Sequence, residues 1–307
     1  MTTTTEHPAS GMARTGETAA DVPPSRSGPG VAAALQGGVV TFLARPLVWV
    51  LVVVWLFQIV VFAYAINAAV VSQAPSSQTN AVIVACLGVN AAHAWPLASM
   101  PTYGAFVFIL LGSLAGASDY RYGTFRLILP RYASRAGLLG ARFACLAVLS
   151  VVMSALTLLV SFAASAIVSP SLGLDAAAPP VSDVVVSLGL GALVILAMMA
   201  IGFAASIALR SLLGGFLVGF GWAVGIEVLL LRMLSPLADW VDSVRGLLPV
   251  GASSTLIARV GERAGLDTAA TTGLSELVSP WASAAALIAW TVALFATAIV
   301  LFRGRDV

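Results

Sequence analysis

Six stretches of roughly twenty apolar residues, each almost free of charge, decide what this chain can fold into. They run from Leu47 to Val71, Leu97 to Ala117, Cys145 to Val168, Val184 to Leu209, Leu212 to Leu231 and Trp281 to Phe302. A helix needs about 20 such residues to cross a hydrocarbon core of about 30 Å. Within lipid the backbone must satisfy its own N–H and C=O groups, which leaves a helix or a closed barrel. Barrel strands are short and alternate in polarity, and these runs do not. The expected fold class is therefore all-α, a polytopic membrane protein with six transmembrane helices. With 60% hydrophobic and 9% charged residues, the chain falls far from a soluble domain, about a quarter of which is charged.

The segments between the spans follow from composition. Residues 1–37 are polar, with a TTTT run and Pro23-Pro24; too little apolar surface is present to order them, and a disordered tail is expected. No apolar run follows Met1, so no signal peptide is expected. Residues 39–45 are mildly amphipathic, which suits either a helix on the membrane surface or the end of the first span. The stretch from Asn80 to Trp95 is apolar but broken by Asn90 and His93. Its clean core of about ten residues is short for a crossing, so it is expected on the outer surface. Residues 234–279 form the longest connection and carry five acids, Asp239, Asp242, Glu262, Asp267 and Glu276.

Charge sets the orientation. Short loops rich in basic residues stay in the cytoplasm, and six spans then put both termini there. Eleven arginines and five acids fall on the inner side, four arginines and eight acids on the outer side. The expected location is the cell membrane, multi-pass. Cys86 and Cys145 fall on opposite sides of the core and are not expected to form a disulfide.

Several chemistries lack their residues. All fifteen basic residues are arginine, so a P-loop has no lysine for the β- and γ-phosphates. The histidines are His7 and His93; with one in the tail and one outside, neither a zinc site nor a serine-protease relay is expected at depth. No catalytic residue, bound metal or nucleic-acid partner is expected. An ion-coupled carrier usually places ionisable residues within its spans. Glu227 is the one candidate, either an interfacial acid paired locally, with Arg232 five positions on, or a residue lining a path. Gly112 and Gly116 make a GxxxG pair in the second span; Gly215/Gly219 and Gly221/Gly225 make two in the fifth. Such pairs let helices approach closely in lipid. Packing within the bundle is expected for the first pair, and a dimer seam or cavity wall is open for the others.

The inner connection from Ala117 to Phe143 carries Arg121, Arg126, Arg131, Arg135 and Arg142 against one acid, Asp119. Asp119 to Leu129 suits a short amphipathic helix that Pro130 ends, with Ser134 as N-cap of the helix leading into the third span. Tyr120, Tyr122 and Phe125 add aromatic anchors of the kind enriched at interfaces. On charge alone, the arginines suit a loop that enforces topology and touches anionic lipid headgroups better than one that docks a partner, as in a secondary carrier or a scaffold with a lipid-binding loop.

The order of residues narrows this. Asp119, Gly123-Thr124, Arg126, Leu127 to Pro130, Ser134-Arg135 and Arg142 resemble the coupling-helix segment of permease subunits of type-2 ABC transporters, with Asp119 where Glu is usual and Arg142 where Lys is common. Gly246 to Leu256 looks like the stretch those proteins carry in a large outer segment between the fifth and sixth spans. The resemblance covers about residues 39–305. It implies a cytoplasmic coupling helix docked on a separate ATPase that binds ATP and Mg, and a second permease copy, identical or not. It also implies export of an amphipathic or lipid-like compound, the chain itself not being an enzyme.

Overall fold

The computed structural model describes residues 40, 42–73, 78–122, 135–174, 177–269, 274 and 276–304, without the side chains of 78–80, 118–122, 135 and 239. Among them there is no strand, and six helical segments are long and apolar enough to cross a membrane. This is the architecture of a multi-pass helical membrane protein. The spans are α1 (Pro46–Gln73), the second span (Trp95–Ala117), α4 (Ala136–Ser171), α5 (Val181–Leu209), α6 (Leu212–Leu237) and α9 (Pro280–Arg303). The helix α2 (Gln78–Leu87) precedes the second span, whose regular part is α3 (Ala105–Tyr122); α7 (Asp239–Leu247) and α8 (Pro249–Arg263) lie between the last two spans. The expected tail at 1–37 lies outside the described residues. Before α1 a helical turn closes with Ala44 N–H on Val40 O, and Phe42 is buried, so this end of the chain is packed.

Helix α5 stands at the centre, in contact with α3, α4, α6, α8 and α9. Its composition explains the position. With little hydrophobic force between helices in lipid, close approach must come from small side chains, and α5 buries Gly191, Ala192, Ala197, Ala200, Gly202 and Ala204. A Cβ on Gly202 would overlap the carbonyl of Ile109, and one on Gly112 would overlap that of Met199. The second span is the most enclosed of the six and α9 the least.

The second span begins without regular helix. Residues 89–91 and 95–99 are 3₁₀ turns and Met100–Gly104 is a π turn, before α3 starts at Ala105. Irregular backbone at membrane depth is tolerated only where protein satisfies its polar groups. A column of hydroxyls on α4 does so. Ser165 Oγ donates to Leu87 O at 2.8 Å and Ser169 Oγ to the same carbonyl at 3.2 Å. Ser161 Oγ donates to Ala92 O at 2.6 Å. Since its one hydrogen is used there, Tyr64 of α1 must donate in the 2.5 Å contact with Ser161. Lower down, Trp55 Nε1 donates to Thr157 Oγ1 at 2.8 Å.

This corrects the expectation for the second half of Asn80 to Trp95, whereas Ala81 and Ala85 before it are exposed. Cys86, Leu87, Ala91, Ala92, His93 and Ala94 are all buried, and Ala92 is bonded ten residues below the end of α4, about 15 Å along the helix. The segment descends into the bundle because α4 supplies donors for its free carbonyls. Cys86 and Cys145 are both free thiols.

Candidate functional site

Two regions carry the residues singled out above, one at each end of the bundle. At the first end, α3 runs unbroken through Asp119, Tyr120, Arg121 and Tyr122. These four continue the second span and do not open a new helix, since nothing between Ala117 and Tyr122 breaks the turn. Gly123, Thr124, Phe125, Arg126, Arg131 and Ser134 lie outside the described residues, as does the rest of the expected coupling helix; Arg135 is the first residue of its helix. Two other arginines reach α3 here. Arg45 Nη1 donates to Leu114 O and Arg142 Nη1 to Ala115 O, both at 3.3 Å.

Below them α3 and α5 touch backbone to backbone. Gly112 lies against Met199, and Gly116 against Phe203 and Ser206. Gly215 of α6 lies against Ser206 on the other side, and Gly219 against Ile109 and Ile201. Neither Gly215 nor Gly219 is therefore free for a second copy. Gly221 and Gly225 differ, because a Cβ on either would meet nothing within 4 Å. Helices in contact through glycine cannot slide without collision, so α3, α5 and the start of α6 behave as one body.

At the opposite end, Glu227 is 1% exposed and sits in a π-helical stretch, Gly221–Leu230. Its partner is not Arg232, which is exposed. Trp222 Nε1 donates to Oε1 at 2.7 Å and the Val250 amide to Oε2 at 2.8 Å; the Gly251 amide also bonds the carboxylate. These amides open α8, where unpaired N–H groups and the helix dipole favour an anion. Pro249 at the first helical position fits such a start, having no N–H to leave unpaired. Glu227 thus ties the connection between the last two spans to the fifth span.

Residues 239–263 of that connection are a packed helical hairpin. Gly251 lies so close to Arg245 O that no Cβ fits, which fixes the corner between α7 and α8. Trp290 of α9 donates to Leu247 O at 3.0 Å, and the Leu277 amide to Thr255 Oγ1 at 3.3 Å. Helix α8 touches two of the non-α stretches of the bundle, Trp95–Gly104 and Gly221–Leu230. Two ion pairs at 3.0 Å, Arg245–Asp242 on α7 and Arg259–Glu262 on α8, add to the hairpin.

Sequence reasoning missed the hydroxyl column. Its signal is plain in α4, where Ser150, Ser154, Thr157, Ser161, Ser165 and Ser169 recur every three or four residues and all are buried. That spacing puts them on one helix face. No family model matches the chain, and no curated protein matches it.

Proposed function

We propose that the chain is the transmembrane permease subunit of a type-2 ABC transporter, working with a second permease copy and separate ATPase subunits that bind ATP and Mg. The observation that carries this reading is the arginine-rich connection at the end of α3, a helix unbroken from Ala105 to Tyr122 and locked to α5 through Gly112 and Gly202. A partner that pushes on this connection moves a rigid rod, and α3 cannot move without α5. At its other end α3 continues into the irregular turns that α8 touches, so the push reaches the hairpin held by Glu227. Stiff elements with packed interfaces are how nucleotide-driven motion passes between domains.

Residues 119–135 face the cytoplasm in this reading, and both termini lie on the cytoplasmic side of the cell membrane. Asp119, Arg121, Arg126 and Arg135 form the polar rim of the docking surface, with Tyr120, Tyr122 and Phe125 as its anchors. Glu227 is the one acid found buried in a described span, and it is engaged by the hairpin. The cargo is therefore an amphipathic or lipid-like compound exported along the bundle. Gly221 and Gly225, open on α6, are the residues offered to the second copy.

Charge reversal at Arg126 and Gly123→Pro are each expected to abolish co-purification of the ATPase while leaving membrane insertion intact. Normal co-purification from both variants removes the docking role. Labelling that places 119–135 outside the cell ends the whole reading.

A further inference from the structure

Between α5, α6 and α9 lies a groove of about 310 Å³ lined by apolar side chains, among them Ala204, Ala208, Gly219, Trp222, Trp290 and Leu301. Its few polar groups are turned away. Trp222 and Trp290 spend their indole N–H groups on Glu227 and on Leu247 O, and Thr297 Oγ1 bonds Ala293 O within its own helix. Along α9 the groove extends from Trp290 to Leu301, eleven residues or about 16 Å. That is close to one leaflet of a hydrocarbon core, about 15 Å.

The lining itself carries no charged side chain, but two arginines follow it at one end. Two residues beyond Ala208 stands Arg210, and two beyond Leu301 stands Arg303; both are exposed. Neither has an ion-pair partner among the described residues. α5 and α9 both end here, on the side of the arginine-rich connection. Arg210 is held in a left-handed turn (φ 51°) between two spans, which fixes where its side chain starts. We infer that this groove binds one anionic phospholipid from the adjacent leaflet, an acyl chain lying along α9 and the phosphate held by Arg210 and Arg303. The occupant follows from charge complementarity: an uncharged chain matches the lining and an anionic headgroup matches the two guanidinium groups. Basic pockets between spans recognise headgroups in this way. The site does not depend on the transporter reading.

The test uses the full chain in detergent, delipidated and then supplied with phosphatidylglycerol or phosphatidylcholine of the same acyl chains, with retained lipid counted by native mass spectrometry. Each cation near the headgroup favours the anionic lipid by about fivefold, so wild type is expected to prefer phosphatidylglycerol by roughly 25-fold. Arg210→Asn with Arg303→Gln is expected to remove that preference while still retaining lipid; Asn suits the left-handed turn. Thr297→Phe, at an exposed edge of the groove, is expected to expel both lipids, and Ala205→Phe repeats the test from the opposite wall. Size-exclusion profiles confirm that each variant is folded. Equal retention of the two lipids by wild type overturns the inference, as does unchanged retention in both Phe variants. Displacement of the lipid by inorganic phosphate also overturns it, since the arginines would then be a site for free anion.

Discussion

Ser161 provides the sharpest test of how the irregular second span is held. Its hydroxyl donates to Ala92 O and accepts from Tyr64, and all three residues are at most 1% exposed. Ser161→Ala therefore strands a carbonyl and a phenol that water cannot reach. Each unsatisfied group costs about 1–3 kcal/mol, or about 2–6 kcal/mol together. Hydrogen bonds measured between membrane helices average only about 0.6 kcal/mol, which puts the floor near 1 kcal/mol. Tyr64→Phe leaves the Ser161–Ala92 bond intact and is expected to cost about 1 kcal/mol. The double variant no longer strands the phenol, so it should cost less than the two singles added.

Ser165 and Ser169 must behave in the opposite way. Both donate to Leu87 O, so either alone keeps that carbonyl bonded. Each single Ala variant is expected to lose under about 1 kcal/mol, and the double to lose more than their sum. Unfolding free energies in bicelles, by steric trapping, read both cycles. Independent sites add to within about 0.5 kcal/mol. Additivity that close in both pairs would refute the claim that α4 holds the second span through these hydroxyls.

The other predictions use the same contacts. Glu227→Ala is expected to cost about 3 kcal/mol and to speed hydrogen exchange at the Val250 and Gly251 amides, with Glu227→Gln about half as severe; unchanged exchange would mean that the carboxylate does not hold α8. Gly112→Ala and Gly202→Ala push a methyl into a backbone carbonyl and should leave little folded protein on size exclusion. Gly221→Ala and Gly225→Ala meet open space, and the monomer should be neutral or up to about 1 kcal/mol more stable by thermal melting. Treatment with copper phenanthroline should form no internal disulfide, because Cys86 adjoins Leu87 at the level of Ser165, twenty residues or about 30 Å along α4 from Cys145. A Cys86–Cys145 bridge found by mass spectrometry would contradict the placement of Leu87 beside Ser165.

The six spans were legible because length and apolarity suffice to mark a helix in lipid, and each helix lies where its run predicts. What could not be read locally was where a broken segment goes. Asn80 to Trp95 is short and interrupted, which suits an interfacial position by itself. Its place inside the bundle depends on Ser161, Ser165 and Ser169, some 70 or more residues later. Glu227 poses the same difficulty. Arg232 is its nearest cation in sequence, yet the partners are Trp222 and two amides of α8, whose free N–H groups exist only once that helix has formed. The glycines divide by neighbour: GxxxG is equally visible at Gly215/Gly219 and Gly221/Gly225, but only the first pair meets α5.

Placed together, these contacts divide the bundle into a stiff part and a part with room to move. Helices α3 and α5 and the start of α6 meet through glycines that tolerate no added atom, so they shift as a unit or not at all. Beyond Phe220 the fifth span loosens into a π-helical stretch, open on one side at Gly221 and Gly225 and tied on the other by one carboxylate. π-helical stretches often occur at functional positions within helices. Helix α8 spans the boundary, touching the top of the stiff part at Trp95–Gly104 and the loose stretch at Gly221–Leu230. A displacement of α3 delivered at the arginine-rich end reaches the start of the fifth span directly, where Gly219 lies against Ile109, and reaches the loose stretch beyond it through α8 as well. Under the proposed reading, Glu227 is therefore where movement driven by the ATPase turns into a change of the path. Cutting that tie should uncouple ATP hydrolysis from export without weakening attachment of the ATPase at the other end.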